Sequence, residues 1–160
     1  VVAKTLAAHT NLVRQLQART VKRLYRAVVC GVPRVDGTVN APVGRDQRQR
    51  TRMAVTSQGK EAITHYRLLE MFPGCSLVEC VLETGRTHQI RVHFSAFRHP
   101  LVGDTMYGAD PKLAARVGLD RQWLHAVRLS FEHPTSGEQV EFTSDYPADL
   151  EHALAVLRGQ

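Results

Sequence analysis

The stretch Glu83-Thr84-Gly85-Arg86-Thr87-His88-Gln89-Ile90-Arg91-Val92-His93 decides the local fold of this sequence. It follows the apolar run Ser76–Leu82, which is predicted as a buried strand. Gly85 permits a sharp turn after that strand, and Thr87 is predicted as the N-cap of a following helix. The stretch therefore predicts a strand, a tight turn and a helix in immediate succession.

The helix is predicted over His88–Phe97 and is amphipathic. Its apolar positions share one face: Ile90, Phe94 and Phe97. With that face packed inward, Arg91 points towards a cleft, one turn after His88. The backbone N–H groups at the start of such a helix favour anions. From these residues alone, a surface salt bridge is the simpler interpretation of Arg91.

On both sides of this stretch, short strands outnumber helices. Strands are predicted at Val1–Ala3, Val21–Cys30, Gly37–Ala41, Met53–Thr56, Ala62–Phe72, Val127–Phe131 and Gln139–Thr143. Helices are predicted at Ala7–Gln17, with an apolar face of Leu6, Val13 and Leu16, and at Ala148–Leu157, which Pro147 opens. This pattern predicts an α+β fold with a mainly antiparallel sheet. No linker-like segment divides the chain, so a single domain over residues 1–160 is predicted.

The composition favours a nucleic-acid partner and a reducing compartment. Lys and Arg number 21 against 15 Asp and Glu, a formal net charge of +6. A basic surplus favours a polyanion, although many ordinary enzymes are mildly basic. The three cysteines include no C-x-x-C pair, which argues against a disulfide framework or zinc knuckle. Reduced thiols indicate the cytoplasm, and no apolar run is long enough to span a membrane.

Four arginines share one polar segment with a single acid, Asp46. They are Arg45, Arg48, Arg50 and Arg52, and the segment lacks the apolar periodicity of a packed helix. A solvated charged loop is the usual explanation of such a segment. The excess of arginine over acid favours contact with RNA phosphates instead.

His88 and His93 raise the question of a metal site or a general base. Five helical positions separate them by roughly 140° around the axis, which is poor geometry for a shared metal ion. A metal-dependent hydrolase using His88, His93 and His99 is therefore an unfavoured alternative, and no metal is predicted. His88 is better explained as a structural hydrogen-bonding residue. No helix-turn-helix pattern supports a transcription factor.

Several segments match one protein family in chain order: Lys22–Val28, Gly85–His93, His99–Asp104 with Tyr107-Gly108, Leu124–Ala126 and Phe131–Pro134. Together they resemble the RluA/RluC/RluD-type pseudouridine synthases, and Gly37–Lys60 and Asp120–Gln122 are most like the RluD branch. The resemblance covers essentially the whole chain. It implies the pseudouridine synthase fold and an RNA-modifying isomerase that needs no cofactor.

The resemblance also implies roles for individual residues. Tyr25 matches the tyrosine that stacks on the target base and assists proton removal, and Arg91 matches the arginine that pairs with the nucleophilic Asp. Ile90 and Leu101 are expected to wall the uracil pocket, with core packing as an equal alternative. The remaining RNA contacts are expected from the arginine-rich segment together with Arg86 and His88. The implied partner is 23S ribosomal RNA or the pre-50S particle, at the helix 69 loop, acted on by a monomer.

One part of the family pattern is not found in this sequence. The family's nucleophilic Asp belongs to a His-Arg-Leu-Asp motif, and Val1–Thr5 resembles only the end of that motif. The Asp and an N-terminal S4-like domain are therefore expected to precede Val1. The 160 residues alone are expected to be inactive, and a non-catalytic RNA-binding module is the literal alternative.

Overall fold

A computed structural model describes residues 1–159, which form four α-helices and eight strands. The helices are α1 (Leu6–Gln17), α2 (Gln89–Ala96), α3 (Pro111–Val117) and α4 (Ala148–Leu157). The strands are β1 (Lys22–Cys30), β2 (Asp36–Asn40), β3 (Val43–Arg45), β4 (Met53–Val55), β5 (Ile63–Phe72), β6 (Cys75–Leu82), β7 (Leu124–Glu132) and β8 (Gln139–Thr143). A single 3₁₀ turn in the described residues covers Thr105–Tyr107. The predicted α+β class is confirmed.

Six strands form one sheet in the order β2-β5-β6-β1-β7-β8, and β3 pairs with β4 in a separate hairpin. Every strand pairing in the described chain is antiparallel. The pairing of β1 with β7 shifts register between Leu24 and Tyr25. The unpaired residue is Val127, so the bulge belongs to β7 and bends that strand, while β1 keeps a continuous register with β6 from Leu24 to Cys30.

The sheet is buried on both faces because successive side chains of a strand point to opposite sides. One face of β1 directs Ala27 and Val29 into a core with Phe94 of α2. Its other face directs Val28 into a second core, which includes Trp123 and Leu150. Helices α3 and α4 cover this second core, while α2 lies on the side of the first.

Some predicted elements differ from the observed ones. Residues 1–3, predicted as the end of a strand, pair with no other strand in the described part of the chain. Helix α1 forms, but its predicted apolar face is not covered: Leu6 is 81%, Val13 36% and Leu16 45% exposed. The other predicted strands and helices lie within about three residues of their observed bounds.

The predicted N-cap of α2 is wrong, because His88 and not Thr87 occupies that position. His88 adopts a left-handed backbone with φ +56° and makes no side-chain cap bond. The side chain of Gln89 bonds the turn instead. Its Oε1 accepts from the Thr84 hydroxyl at 2.6 Å and from the Arg86 N–H at 3.1 Å. A residue inside the helix thus holds the preceding turn by accepting bonds from Thr84 and Arg86.

Helix α3 was not predicted from the sequence, although its boundaries carry clear signals. Asp110 accepts a hydrogen bond from Lys112 N–H, Pro111 occupies the first turn, and Gly118 ends the helix with φ +75°.

Among residues 1–159 no helix is long and apolar enough to cross a membrane.

Candidate active site

An open hollow of about 380 Å³ lies between β1, the end of β6 and the start of α2. Tyr25 enters it from β1, and Ile90 and Arg91 enter from α2. Gln122 and Leu124 also line it. The two residues predicted as catalytic, Tyr25 and Arg91, therefore face one shared cavity.

Tyr25 reaches the hollow because of its position on the central strand. It follows the register shift between β1 and β7, and its ring packs against the buried cluster that contains Ile90. One part of the ring is thus fixed by apolar packing while the residue remains partly exposed at the cavity. A phenol held in this way combines an apolar face with a polar hydroxyl.

Arg91 forms a buried bidentate ion pair with Asp104. Its Nε and Nη2 each donate at 2.8 Å to the two carboxylate oxygens. The Arg91 side chain is 12% exposed and that of Asp104 only 1%. The pair raises the pKa of Arg91, mainly through the hydrogen bond to Asp104 and against the effect of burial. The carboxylate partner of Arg91 in the described chain is therefore Asp104.

Tyr107 supports this ion pair from one side. The Arg91 guanidinium lies 4.9 Å from the centre of the Tyr107 ring, within cation–π range. Tyr107 Oη accepts from Met53 N–H at 2.9 Å and lies 2.8 Å from His88 Nδ1. Burial, with a further contribution from Arg91, lowers the pKa of His88. The Tyr107 hydroxyl can donate a hydrogen bond to Nδ1 of a neutral His88, so the contact is satisfied without charge.

The two predicted pocket residues lie in different surroundings. Ile90 lines the hollow and is also part of the core beneath it. Leu101 is fully buried in the same core and forms an isolated bridge with Val29 of β1. The structure therefore brings Ile90, Tyr25 and Arg91 together at the cavity and places Leu101 in the core.

The arginines predicted to bind RNA lie on the β3–β4 hairpin and at the cavity. Arg45 donates to Arg50 O at 2.8 Å, and Arg52 pairs with Asp46 at 2.9 Å and donates to Met106 O at 3.2 Å. Arg48 and Arg50 are exposed. Their guanidinium groups make no ion pair with another described residue.

Arg86 connects the hairpin region with the cavity. It lines the hollow described above and a second hollow that Arg45 and Lys60 also line. Its Nε donates to the carbonyl of Glu61 at 2.8 Å. Cationic side chains therefore continue from the hairpin to the cavity that contains Tyr25.

The histidines considered as metal ligands do not form a cluster. Within residues 1–159 no group of three or more His, Cys, Asp or Glu is arranged to hold a metal ion. His93 is completely buried, with Nδ1 at 2.8 Å from the Thr64 hydroxyl and Nε2 at 2.9 Å from Ala41 O. His99 Nδ1 lies 2.8 Å from Cys30 O. These rings serve the internal hydrogen-bond network.

Three residues at the site were not singled out from the sequence: Arg23, Asp104 and Tyr107. Asp104 and Tyr107 belong to a matched segment, but their contact with Arg91 depends on tertiary packing. Arg23 lies two positions before Tyr25, and residues at i and i+2 of a strand share a face. That spacing could have predicted a cation beside the tyrosine.

The site can therefore hold a flat polar ring next to an anionic group. Apolar walls and the phenol provide a surface for a heteroaromatic ring. Arg23 and Arg86 provide positive charge, whereas Arg91 is already neutralised by Asp104.

Comparisons with known proteins show which family the sequence matches. The sequence model of the family described as RNA pseudouridylate synthase matches residues 1–96. An uncharacterised RNA pseudouridine synthase of Mycobacterium bovis is 54% identical over 161 residues, covering 100% of the chain and 52% of the relative. Ribosomal large subunit pseudouridine synthase D of Neisseria meningitidis is 52% identical over 166 residues, covering 99% of the chain and 44% of the relative. The chain thus spans about half the length of these relatives.

Solved structures show the same fold. Human RNA pseudouridylate synthase domain containing 1 superposes with a TM-score of 0.73 at 30% identity, covering 99% of this chain and 74% of that one. Human RNA pseudouridylate synthase domain containing 4 gives a TM-score of 0.76 at 22% identity, covering 96% and 69%. The second likeness concerns the fold alone.

Proposed function

Because the chain belongs to the RNA pseudouridylate synthase family, we propose that the whole protein converts uridine to pseudouridine in 23S ribosomal RNA. The convergence of Tyr25, Ile90 and Arg91 on one hollow supports this proposal. The relatives named ribosomal large subunit pseudouridine synthase D support a ribosomal substrate. The likeness to the RluD branch favours the helix 69 loop as the target and the cytoplasm as the location.

The reaction is an isomerisation that needs no redox partner or energy donor. The N–C glycosidic bond of uridine breaks, the uracil rotates, and a new bond forms between the sugar and carbon 5 of the ring. The proton on carbon 5 is then removed and N1, freed from the sugar, gains a proton, so the composition is unchanged. The site must hold a detached uracil, exclude water and supply a base.

Tyr25 is proposed to stack on the uracil and to assist removal of the carbon 5 proton. Its ring already packs on one side against the core, which leaves the cavity side for the base. Ile90 forms an apolar wall of the same cavity. Leu101 is proposed to support this wall from within the core, where it lies fully buried.

Arg91 is proposed to orient the nucleophilic Asp, which is expected before Val1. Its Nε and Nη2 are bonded to Asp104, and the N–H groups of Nη1 are left for a second carboxylate. Two carboxylates on one guanidinium would keep the nucleophile ionised and fixed in direction.

A uridine in folded RNA has to leave its stack before it can enter the hollow. The exposed Arg48 and Arg50 are proposed to grip phosphates near the target, with Arg45, Arg52 and Arg86 closer to the cavity. His88 is proposed to contact RNA at the same rim. We expect the 160 residues alone to bind RNA without isomerising it, because no carboxylate of the described chain lines the hollow.

The proposal is tested by tritium release from RNA that contains 5-tritiated uridine, using the whole protein. Tyr25→Phe is expected to slow release by about 10²–10⁴-fold, the usual contribution of a general acid or base. Tyr146→Phe is the matched control, because Tyr146 bonds Arg26 away from the hollow. Absence of release with the unmodified protein would refute the function, and unchanged release with Tyr25→Phe would refute the role of Tyr25.

A further inference from the structure

Arg23 is a partly buried cation at the meeting point of three cavities. It lines the hollow of Tyr25, a polar hollow with Arg19 and Glu83, and an apolar groove beside α1. It lies on β1 on the same face as Tyr25 and next to the register shift. The strand therefore aims Arg23 and Tyr25 at the same region of space.

The charge of Arg23 is not neutralised by any described residue. Its Nε is buried without a hydrogen-bond partner in residues 1–159, and its Nη2 makes one long bond of 3.5 Å to Glu83 O. Within residues 1–159 it has no ion pair, whereas Arg91 in the same hollow has a bidentate one. Burial, together with the nearby Arg86, lowers the pKa of Arg23, although the Tyr25 phenol opposes this change. Desolvating a cation without a partner is costly, so the arrangement favours an external anion.

Gly85 provides the space for this guanidinium. A Cβ added at position 85 would lie 2.2 Å from Arg23 Nη1, well inside van der Waals contact. The backbone of Gly85 does not need a positive φ, so its glycine is explained by space and not by conformation. The missing side chain thus lets Arg23 reach the cavity.

Further cations continue away from Arg23 in one direction. Arg86 shares the hollow of Tyr25 with it, and Arg86, Lys60 and Arg45 line the adjoining hollow at the β3–β4 hairpin. A series of cations along connected hollows matches a polyanionic backbone better than it matches one carboxylate.

We propose that Arg23 binds a backbone phosphate of the target nucleotide while Tyr25 holds its base. This inference rests on the proposed function and adds a substrate-binding residue to it. The planar guanidinium can donate two parallel hydrogen bonds to phosphate oxygens. Arg91 has only Nη1 free and is directed to the nucleophilic carboxylate, so the two arginines serve different anions.

The test measures RNA affinity of the whole protein as a function of salt, independently of turnover. Arg23→Gln is expected to weaken binding about tenfold to a hundredfold and to flatten the slope of log affinity against log salt by about 0.7, the value for one phosphate on a single strand. Arg23→Lys retains the slope but binds less tightly. Arg116→Gln is the matched control, because Arg116 is exposed on α3, on the other side of the sheet.

Gly85→Ala is a second variant that leaves the charge unchanged. Its methyl group displaces the flexible end of Arg23 without straining the backbone. It is expected to weaken binding like Arg23→Gln while the melting temperature stays close to that of the unmodified protein. This variant keeps the inference testable if Arg23→Gln does not fold.

The outcomes separate this inference from the proposed function. An Arg23→Gln variant with an unchanged salt slope but lost tritium release would mean that Arg23 serves a carboxylate, and the inference would be overturned. Normal RNA binding by Gly85→Ala would overturn it as well. If the unmodified protein releases no tritium, the proposed function fails, while the salt slopes still decide whether Arg23 contacts phosphate.

Discussion

The replacement Asp104→Asn offers a sharp test of the ion pair that holds Arg91. Asparagine keeps the shape of the side chain but presents an NH₂ group to one of the two Arg91 donors and removes the negative charge. Breaking a buried pair by removing one partner costs about 3–5 kcal/mol. Since Arg91 is still 12% exposed at the cavity, we expect about 3 kcal/mol of lost unfolding free energy. That corresponds to roughly 6–12 °C in melting temperature for a chain of this size.

A matched exposed pair in the same molecule provides the control. Arg158 bonds Glu70 through Nε at 3.0 Å and Nη2 at 2.8 Å, the same bidentate arrangement, but both side chains are 38% exposed. Glu70→Gln is expected to cost less than about 1 kcal/mol because solvent screens the pair. Urea unfolding of both variants, with unchanged m-values, measures the two costs. An Asp104→Asn variant no less stable than Glu70→Gln would refute the argument from burial.

Three further outcomes are expected. Leu101→Ala will lower the unfolding free energy by about 2–5 kcal/mol, because Leu101 is fully buried in the core; urea denaturation measures the loss. Burial lowers the pKa of His93, so its stabilising effect is present above about pH 6.5 and is lost as the pH falls through the lower folded value; unfolding curves from about pH 7.5 to 5 will show a decline that His93→Gln reduces. Replacing Arg48 and Arg50 together by alanine will weaken RNA binding and flatten its salt dependence by about 1.4 if each contacts one phosphate of a single strand.

Each of these outcomes can be contradicted by a distinct result. A Leu101→Ala variant that keeps its stability but loses turnover would place Leu101 in the substrate cavity. An acid decline that is equally steep with His93→Gln would assign it to other groups, such as His88. An unchanged salt slope after the double replacement would remove Arg48 and Arg50 from the RNA contact.

The sheet was largely predictable because strand patterns and turn residues are local features of the sequence. Alternation along β1, the apolar run of β6 and turn residues such as Pro73-Gly74 predicted β1, β5, β6 and β8 within about one residue. Helix α4 was predicted with its observed bounds, since Pro147 marks its start. The ends of β7 were predicted less well, because pairing with two neighbouring strands extends it beyond its own apolar pattern.

Long-range contacts explain what the sequence did not reveal. Helical periodicity predicted an apolar face on α1 but not whether anything covers it, and Leu6 and Leu16 are exposed. The catalytic roles of Tyr25 and Arg91 were predicted from the family resemblance. The pairing of Arg91 with Asp104, thirteen residues later in the chain, depends on how the turn after α2 packs back onto the helix.

Tyr25 and Arg23 belong to β1, one of the two strands in the centre of the six-stranded sheet. β1 is hydrogen-bonded along both edges, and Ala27, Val28 and Val29 have no exposed surface. Exposing its amides to exchange with solvent requires separation of both ladders, so the opening free energy should approach that of complete unfolding. The phenol is thus fixed to a strand that is restrained on both edges. If RNA docks at this cavity as proposed, mutual adjustment is expected in the RNA and in the separate β3–β4 hairpin and not in β1.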